Sequence, residues 1–310
     1  MPGAFAHITL VNLMRDTQRL ESIFGTTTEA ITSVMDYLKF CELGAVSPDY
    51  PYLAVGDSYA AKWADAMHYT KTGEMIKSGI KHIKLLSGEP KRKAFAWLLG
   101  YSAHVVTDVT IHPIVQLKVG DYEQHKKPHR VCEMNQDAHI FQRMKLGEVG
   151  LSEHLDTGIG ACSDISDDDL LDRDITNLWK RMLQDVHPEM FGSNPPDIDK
   201  WHGGFVFMVD DVAEEGNHLF PLARHVAAGQ GLTYPALAEI DQQYIQNLSV
   251  PDGNKMHYDH IFDNAIQNVS DLWKTIGLGV FAEDKQYMAQ IGTWNLDTGR
   301  NENNKLVYWG

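Results

Sequence analysis

Between Gly100 and Pro113 the chain carries His104, Asp108 and His112 at intervals of four. On a helix rising about 1.5 Å per residue, such steps set the three side chains in one row. Neighbours in that row stand about 6 Å apart and the outer pair about 12 Å apart. One ion can then be shared by His104 and Asp108, while His112 must serve a second and Asp108 is placed to bridge. The surrounding residues are small or apolar, so polar groups on this core-facing stretch require a reason. Imidazole and carboxylate are the usual nitrogen and oxygen ligands of hydrolytic zinc. A second pair at the same spacing, His129 and Glu133, follows on the next helical stretch, and antiparallel packing would bring it beside the first. Upstream lie His7, Asp49 in a Ser-Pro-Asp-Tyr turn, and His68. His125 and His139 read as bystanders, and the pair His257/His260 carries only a weak pattern.

Helical periodicity supplies the elements that must hold these residues. Apolar positions recur at three- and four-residue spacing through 8–24, 28–42, 70–87, 91–118, 127–146, 168–186, 206–228, 236–248 and 258–277. Helix starts are expected at Thr27, Ser166 and Asp199, and stops at Gly44, Gly88, Gly120 and Gly229. The acidic run from Asp164 to Asp174 lacks the glycine and terminal glutamate of a calcium loop and reads as a solvated helix start. Near the end, Thr293–Leu296 and Lys305–Trp309 flank a polar turn and could pair as a short β-hairpin. The expectation is an all-α, compact, multi-helix single domain: residues 1–280 form the catalytic domain and 281–310 a C-terminal extension.

Composition narrows the function. The 310 residues hold 27 Lys and Arg against 42 Asp and Glu, for a net charge of −15. A field of that sign opposes polyanions, so no nucleic acid is expected and zwitterionic substrates are favoured. The apolar share of 43% and charged share of 22% are those of a globular chain. The N-terminal segment has no basic leader, so it does not read as a cleavable signal peptide; a cytoplasmic location or a leaderless export route follows. Cys41, Cys132 and Cys162 are too few and too scattered for a disulfide framework. Trp179 and Trp201 could line a lipid groove, whereas Trp63 and Trp97 read as core. The oligomeric state is not legible.

The ordered set His7, Asp49, His68, His104, Asp108, His112, His129 and Glu133 resembles the ligand order of the zinc-dependent phospholipase C superfamily. That superfamily includes bacterial phosphatidylcholine-preferring phospholipases and the clostridial alpha-toxin, and the fungal single-strand nucleases share its helical fold. The resemblance is strongest over residues 2–140. It implies two or three Zn2+ per chain. His68, His104 and Asp108 would hold one ion, with Asp49 beside its water as general base; His112, His129 and Glu133 would hold another. Asp108 would bridge to a third ion bound by His7 and by the N-terminal residue, which is Pro2 once Met1 is removed.

The implied activity is hydrolysis of a glycerophospholipid phosphodiester by a zinc-activated hydroxide, with transient contact to a membrane or micelle surface. Tyr50 matches a choline-contacting tyrosine, and Asp65 stands where the bacterial enzymes carry an aromatic residue and could meet a cationic head group. The short step from Asp108 to His112 is similar to the glycosylphosphatidylinositol phospholipase D branch, so a phospholipase D outcome stays open. A nuclease and a non-catalytic zinc protein are the other readings. Glu at 133, where the fungal nucleases carry Asp, counts against the nuclease, and the absence of a cysteine-rich ligand set counts against the structural site.

Overall fold

The computed structural model describes residues 3–54, 56–147, 158–207, 234–282 and 284–309. Helices α1 (Ala4–Met14), α2 (Thr17–Phe24), α3 (Thr28–Asp36) and α4 (Leu38–Val46) lead into a 3-10 turn, Ser47–Leu53. Then come α5 (Ser58–Tyr69), α6 (Thr72–Ile83), α7 (Gly88–Val119) and α8 (Lys126–Phe141). A two-stranded hairpin, β1 (Ser163–Asp164) with β2 (Asp167–Leu171), precedes α9 (Arg173–Val186), α10 (Pro188–Ser193) and α11 (Ile198–Phe207). A second small hairpin, β3 (Leu248–Ser249) with β4 (Lys255–Met256), introduces the long α12 (Tyr258–Phe281) and the short α13 (Tyr287–Gln290). The domain is all-α in architecture, with strands only in antiparallel pairs of two to five residues among the described residues.

Helix α7 is the axis of the core. Every residue from Ala94 to Val115 is buried, so this helix is enclosed on all sides instead of showing one wet face. Helix α4 crosses it at contact distance because glycines meet there. A Cβ on Gly44 would lie 2.1 Å from the Trp97 carbonyl oxygen, and one on Gly100 would lie 1.9 Å from that of Cys41. Gly44 is therefore a packing residue within α4 and not a helix stop. Gly88 likewise opens α7 instead of closing α6, while Gly120, at φ 90°, ends α7 as expected.

Other local expectations need correction. The stretch 8–24 is two helices, because α1 stops at Met14 and the Asp16 carboxylate caps α2 by accepting from the Arg19 N–H. Ser166 starts no helix. Its N–H and hydroxyl both donate to Asp164, closing the β1–β2 turn, and the cap of α9 is Asp172. Residues 236–248 form two 3-10 turns, Leu237–Glu239 and Gln242–Tyr244, and a strand start; Asp241 accepts from the Gln243 N–H and so competes with a continuing helix. The C-terminal hairpin exists but pairs β5 (Trp294–Asn295) with β6 (Arg300–Asn301), and residues 305–309 return with one bridge, Arg300 to Leu306. Trp63, Trp97, Trp179 and Trp201 are all buried to within 1%, which removes Trp179 and Trp201 from any lipid groove. Most of the expected helix 206–228, with the stop at Gly229, lies outside the described residues. Among the described residues no helix is long and apolar enough to cross a membrane.

Candidate metal centre

The centre assembles on the mid-length of α7, where glycine-mediated contact with α4 brings backbone close. The Ala45 carbonyl, at the end of α4, accepts from His104 Nδ1 at 2.8 Å. The same device recurs at three other histidines. His68 Nδ1 donates to the Ala64 carbonyl one turn back on α5 at 2.7 Å, and His112 Nδ1 to the Leu296 carbonyl at 2.5 Å. His129 Nε2 donates to the carbonyl of Gly120 at 2.6 Å. A donor on one ring nitrogen leaves a lone pair on the other, and this fixed tautomer is how metal-binding histidines are held. The opposite nitrogens of His104, His112 and His129 are buried with no hydrogen-bond partner.

Around these nitrogens the acceptors converge. His7, from α1, stacks on the His104 ring at 4.2 Å, and its Nε2 is 3.2 Å from Asp108 Oδ1. Asp108 Oδ2 is 3.3 Å from His104 Nε2. On the other side of His104 the 3-10 turn with Pro48 and Pro51 presents Asp49, whose Oδ1 is 3.3 Å from His68 Nε2. Two groups with metal-ligand spacing result, His7–His104–Asp108 and Asp49–His68–His104. Both Asp108 oxygens, both His7 nitrogens and Asp49 Oδ1 make no hydrogen bond although fully enclosed. An orphaned buried polar atom costs about 1–3 kcal/mol, and this many at one point fit a cation that would satisfy them together.

The charges agree. Burial alone would raise the Asp108 carboxyl, but His104 and His112 hold it well below the usual range. Burial opposes Asp49 in the same way and His68 with His104 prevail, keeping it low. His7 is depressed by burial and by His104, and burial pushes His112 down to about 4. His104 goes the other way: burial lowers it, but Asp108 and Asp49 prevail and raise it, so an ion bound there displaces a proton. Ionised carboxylates and neutral imidazoles are the states that bind metal.

The expected set of His112, His129 and Glu133 is more open. His129 Nδ1 is 3.7 Å from a Glu133 oxygen, and His112 contributes a buried, unpartnered Nε2, yet among the described residues these three do not close to ligand spacing. Pro2 lies outside the described residues. Tyr50 is fully buried, with its hydroxyl 3.1 Å from His202 Nδ1 and its ring stacked on Phe205. Asp65 is exposed and accepts from the Tyr52 hydroxyl at 2.8 Å, and the Tyr52 ring leans on His68 at 6.2 Å. Residues 281–310 carry more than a tail: besides holding His112, Leu296 donates its N–H to the His68 carbonyl, and Asp297 approaches His112 Nδ1 to 3.8 Å while accepting from Tyr69. The terminal segment had no helical period to reveal this, and a supporting backbone carbonyl has no side-chain signature at all. Pro113 is the one local signal. It leaves the Val109 carbonyl without its helical donor, and Gly299, at φ 65°, comes so close that a Cβ there would lie 2.5 Å from that oxygen.

Asp137, one turn beyond Glu133, was not anticipated. Wholly buried, it accepts from the N–H groups of Phe5 and Ala6 at 3.3 and 3.0 Å and from the Tyr234 hydroxyl at 3.0 Å, pinning the start of α1. A Cβ on Gly3 would stand 1.9 Å from its Oδ2. Gly3→Ala is therefore expected to cost about 1–3 kcal/mol by overpacking, read as a lower melting temperature; an unchanged melt would mean the carboxylate swings aside. Burial also pushes the Asp137 carboxyl up to about 7, against its hydrogen bonds to Tyr234 and Ala6. The unfolded chain then gives up this proton near the ordinary 3.8 while the folded one keeps it, so the contribution is fully present below about 4 and is lost as pH rises toward 7. Urea unfolding of zinc-free protein between these limits should show a steeper decline for wild type than for Asp137→Asn; equal slopes would refute the assignment.

Comparison with known families gives a match. Residues 4–189 fit the family model described as zinc dependent phospholipase C, a span that contains the whole His7-to-Glu133 set. No curated protein and no solved structure matches. A match over more than half of the 310 residues, on an all-α domain, means that the chain belongs to the zinc-dependent phospholipase C family.

Proposed function

We propose that this chain hydrolyses the phosphodiester of a zwitterionic glycerophospholipid in the manner of a phospholipase C, with zinc held by His7, His68, His104 and Asp108 and a further ion by His112, His129 and Glu133. The observation that carries the reading is the convergence of unpartnered, buried His and Asp atoms around Asp108. Zinc in such a site acidifies bound water and neutralises charge on phosphoryl oxygens.

The protein's own groups divide the remaining work. Asp49, ionised and beside His68, accepts the proton of the attacking water. The carbonyls of Ala45, Ala64 and Leu296 keep His104, His68 and His112 in one tautomer through the reaction. His68, His104 and Asp108 have no exposure, whereas Asp49, His112, His129 and Glu133 retain 3–5%. A net charge of −15 favours a head group whose phosphate is offset by a cation.

The test combines metal analysis with product identification. Protein with two or three zinc equivalents should release phosphocholine and diacylglycerol from phosphatidylcholine micelles. Choline with phosphatidic acid would assign the phospholipase D outcome, and nucleotide release from single-stranded DNA with inert lipid would replace the reading by a nuclease. Metal that stays substoichiometric after zinc is added would remove the hydrolase reading altogether.

A further inference from the structure

A second convergence of metal-binding side chains lies away from the buried centre. His139, in the last turn of α8, faces the start of α12, where His257 is the N-cap and Asp259 stands in the first turn. His139 Nε2 is 3.2 Å from Asp259 Oδ1, and His257 Nδ1 is 3.2 Å from Asp259 Oδ2. The two imidazoles meet edge-on, 5.6 Å apart, and one donor atom from each residue lies within 4.8 Å of the others. All three side chains are partly exposed, so the cluster is open to ions from solvent.

One carboxylate gathers both imidazoles, with His139 Nε2 at hydrogen-bond distance from its Oδ1. The His257 Nδ1 accepts the Asp259 N–H at 3.2 Å to cap α12, a bond that uses its one lone pair. The same atom faces a carboxylate oxygen, also an acceptor, at 3.2 Å. A cation between them relieves that contact and takes over the Nδ1 lone pair from the N–H, as does a proton; counting zinc tells the two apart. Zinc–nitrogen and zinc–oxygen bonds of about 2.0–2.2 Å at tetrahedral angles set neighbouring donors about 3.3–3.6 Å apart, near the 3.2 Å at which each imidazole meets one of the two Asp259 oxygens. The next turn carries its own balanced pair, Arg143 with Asp263 at 2.8 Å, leaving the Asp259 charge for the ion. Two imidazoles with one carboxylate select a zinc-like transition ion over calcium or magnesium, which prefer oxygen throughout.

We propose that His139, His257 and Asp259 form a separate divalent-metal site of the zinc class, its remaining positions filled by water, which ties the end of α8 to the start of α12. His257 and Asp259 fall beyond the family-matched residues 4–189, and the site stands or falls independently of the buried centre. An ion there would brace the helix that carries His129 and Glu133.

The test uses the full chain equilibrated at fixed free zinc, with bound metal counted by plasma mass spectrometry. His139→Gln and His257→Asn should each hold one zinc fewer than wild type, with unchanged far-ultraviolet circular dichroism. In an Asp108→Asn background, meant to empty the ions that Asp108 touches, whatever zinc persists should fall by one equivalent when His139→Gln is added. Equal zinc in wild type and in either folded variant would overturn the proposal, as would an Asp108→Asn protein whose residual zinc is indifferent to His139.

Discussion

Asp108→Asn is expected to lose the zinc of the buried centre and lower phospholipid hydrolysis about 10³-fold, since the several kcal/mol of transition-state stabilisation supplied by metal go with it. The two oxygens of Asp108 serve different neighbours, one 3.2 Å from His7 and the other 3.3 Å from His104. An amide keeps the shape but supplies one acceptor, no charge, and an NH2 group aimed at a ring nitrogen whose lone pair the ion needs. The fold should survive, because the replacement is isosteric and removes a charge from a fully buried position. Zinc counting and phosphatidylcholine hydrolysis on the same preparation check both halves. A variant that kept wild-type zinc would show that Asp108 is only a neighbour of the ligands.

The Asp108 row was visible in the sequence because α7 is a regular helix. Intervals of four between His104, Asp108 and His112 translate directly into one face, and the apolar residues between them mark that face as enclosed. The same regularity made His129 and Glu133 legible on α8. Asp49 had no spacing of its own and came from the family's ligand order; the structure sets it on a 3-10 turn whose Pro48 and Pro51 fix backbone angles. What stayed hidden is carried by atoms with no residue-type signature or by contacts distant in sequence. The Ala45, Ala64, Gly120 and Leu296 carbonyls that orient four histidines could have come from any residue type. The grip of Asp137 on α1 spans more than 130 positions, and only the lack of room at Gly3 betrays it.

The glycines show a related ambiguity. Gly44, Gly88 and Gly120 are the same residue type doing three things: close helix crossing, helix opening and helix closing. Local sequence separates the last from the others poorly, because the tolerance that permits positive φ also permits backbone contact without a Cβ. At Gly44 the consequence is functional. The crossing it allows sets α4 against α7 so that the Ala45 carbonyl reaches His104. A residue that read as punctuation thus helps to aim the His104 ring.

Asp49→Asn should separate chemistry from metal binding. If Asp49 takes the proton of the attacking water, its amide should lower turnover by about 10²–10⁴-fold, the usual contribution of a positioned general base, while zinc stays at the wild-type level. The geometry permits the opposite outcome as well, since Asp49 Oδ1 lies 3.3 Å from His68 Nε2 and completes a ligand-spaced group with His68 and His104. The two roles differ in what the amide does to the metal. A base loses only its charge and its second acceptor, and the His68 and His104 nitrogens, fixed by the Ala64 and Ala45 carbonyls, still hold their ion. A ligand loses the bond itself, so zinc and turnover fall together. Measuring zinc content and kcat on one sample decides between them, with retained metal assigning proton transfer to Asp49 and lost metal making it a ligand alongside His68 and Asp108.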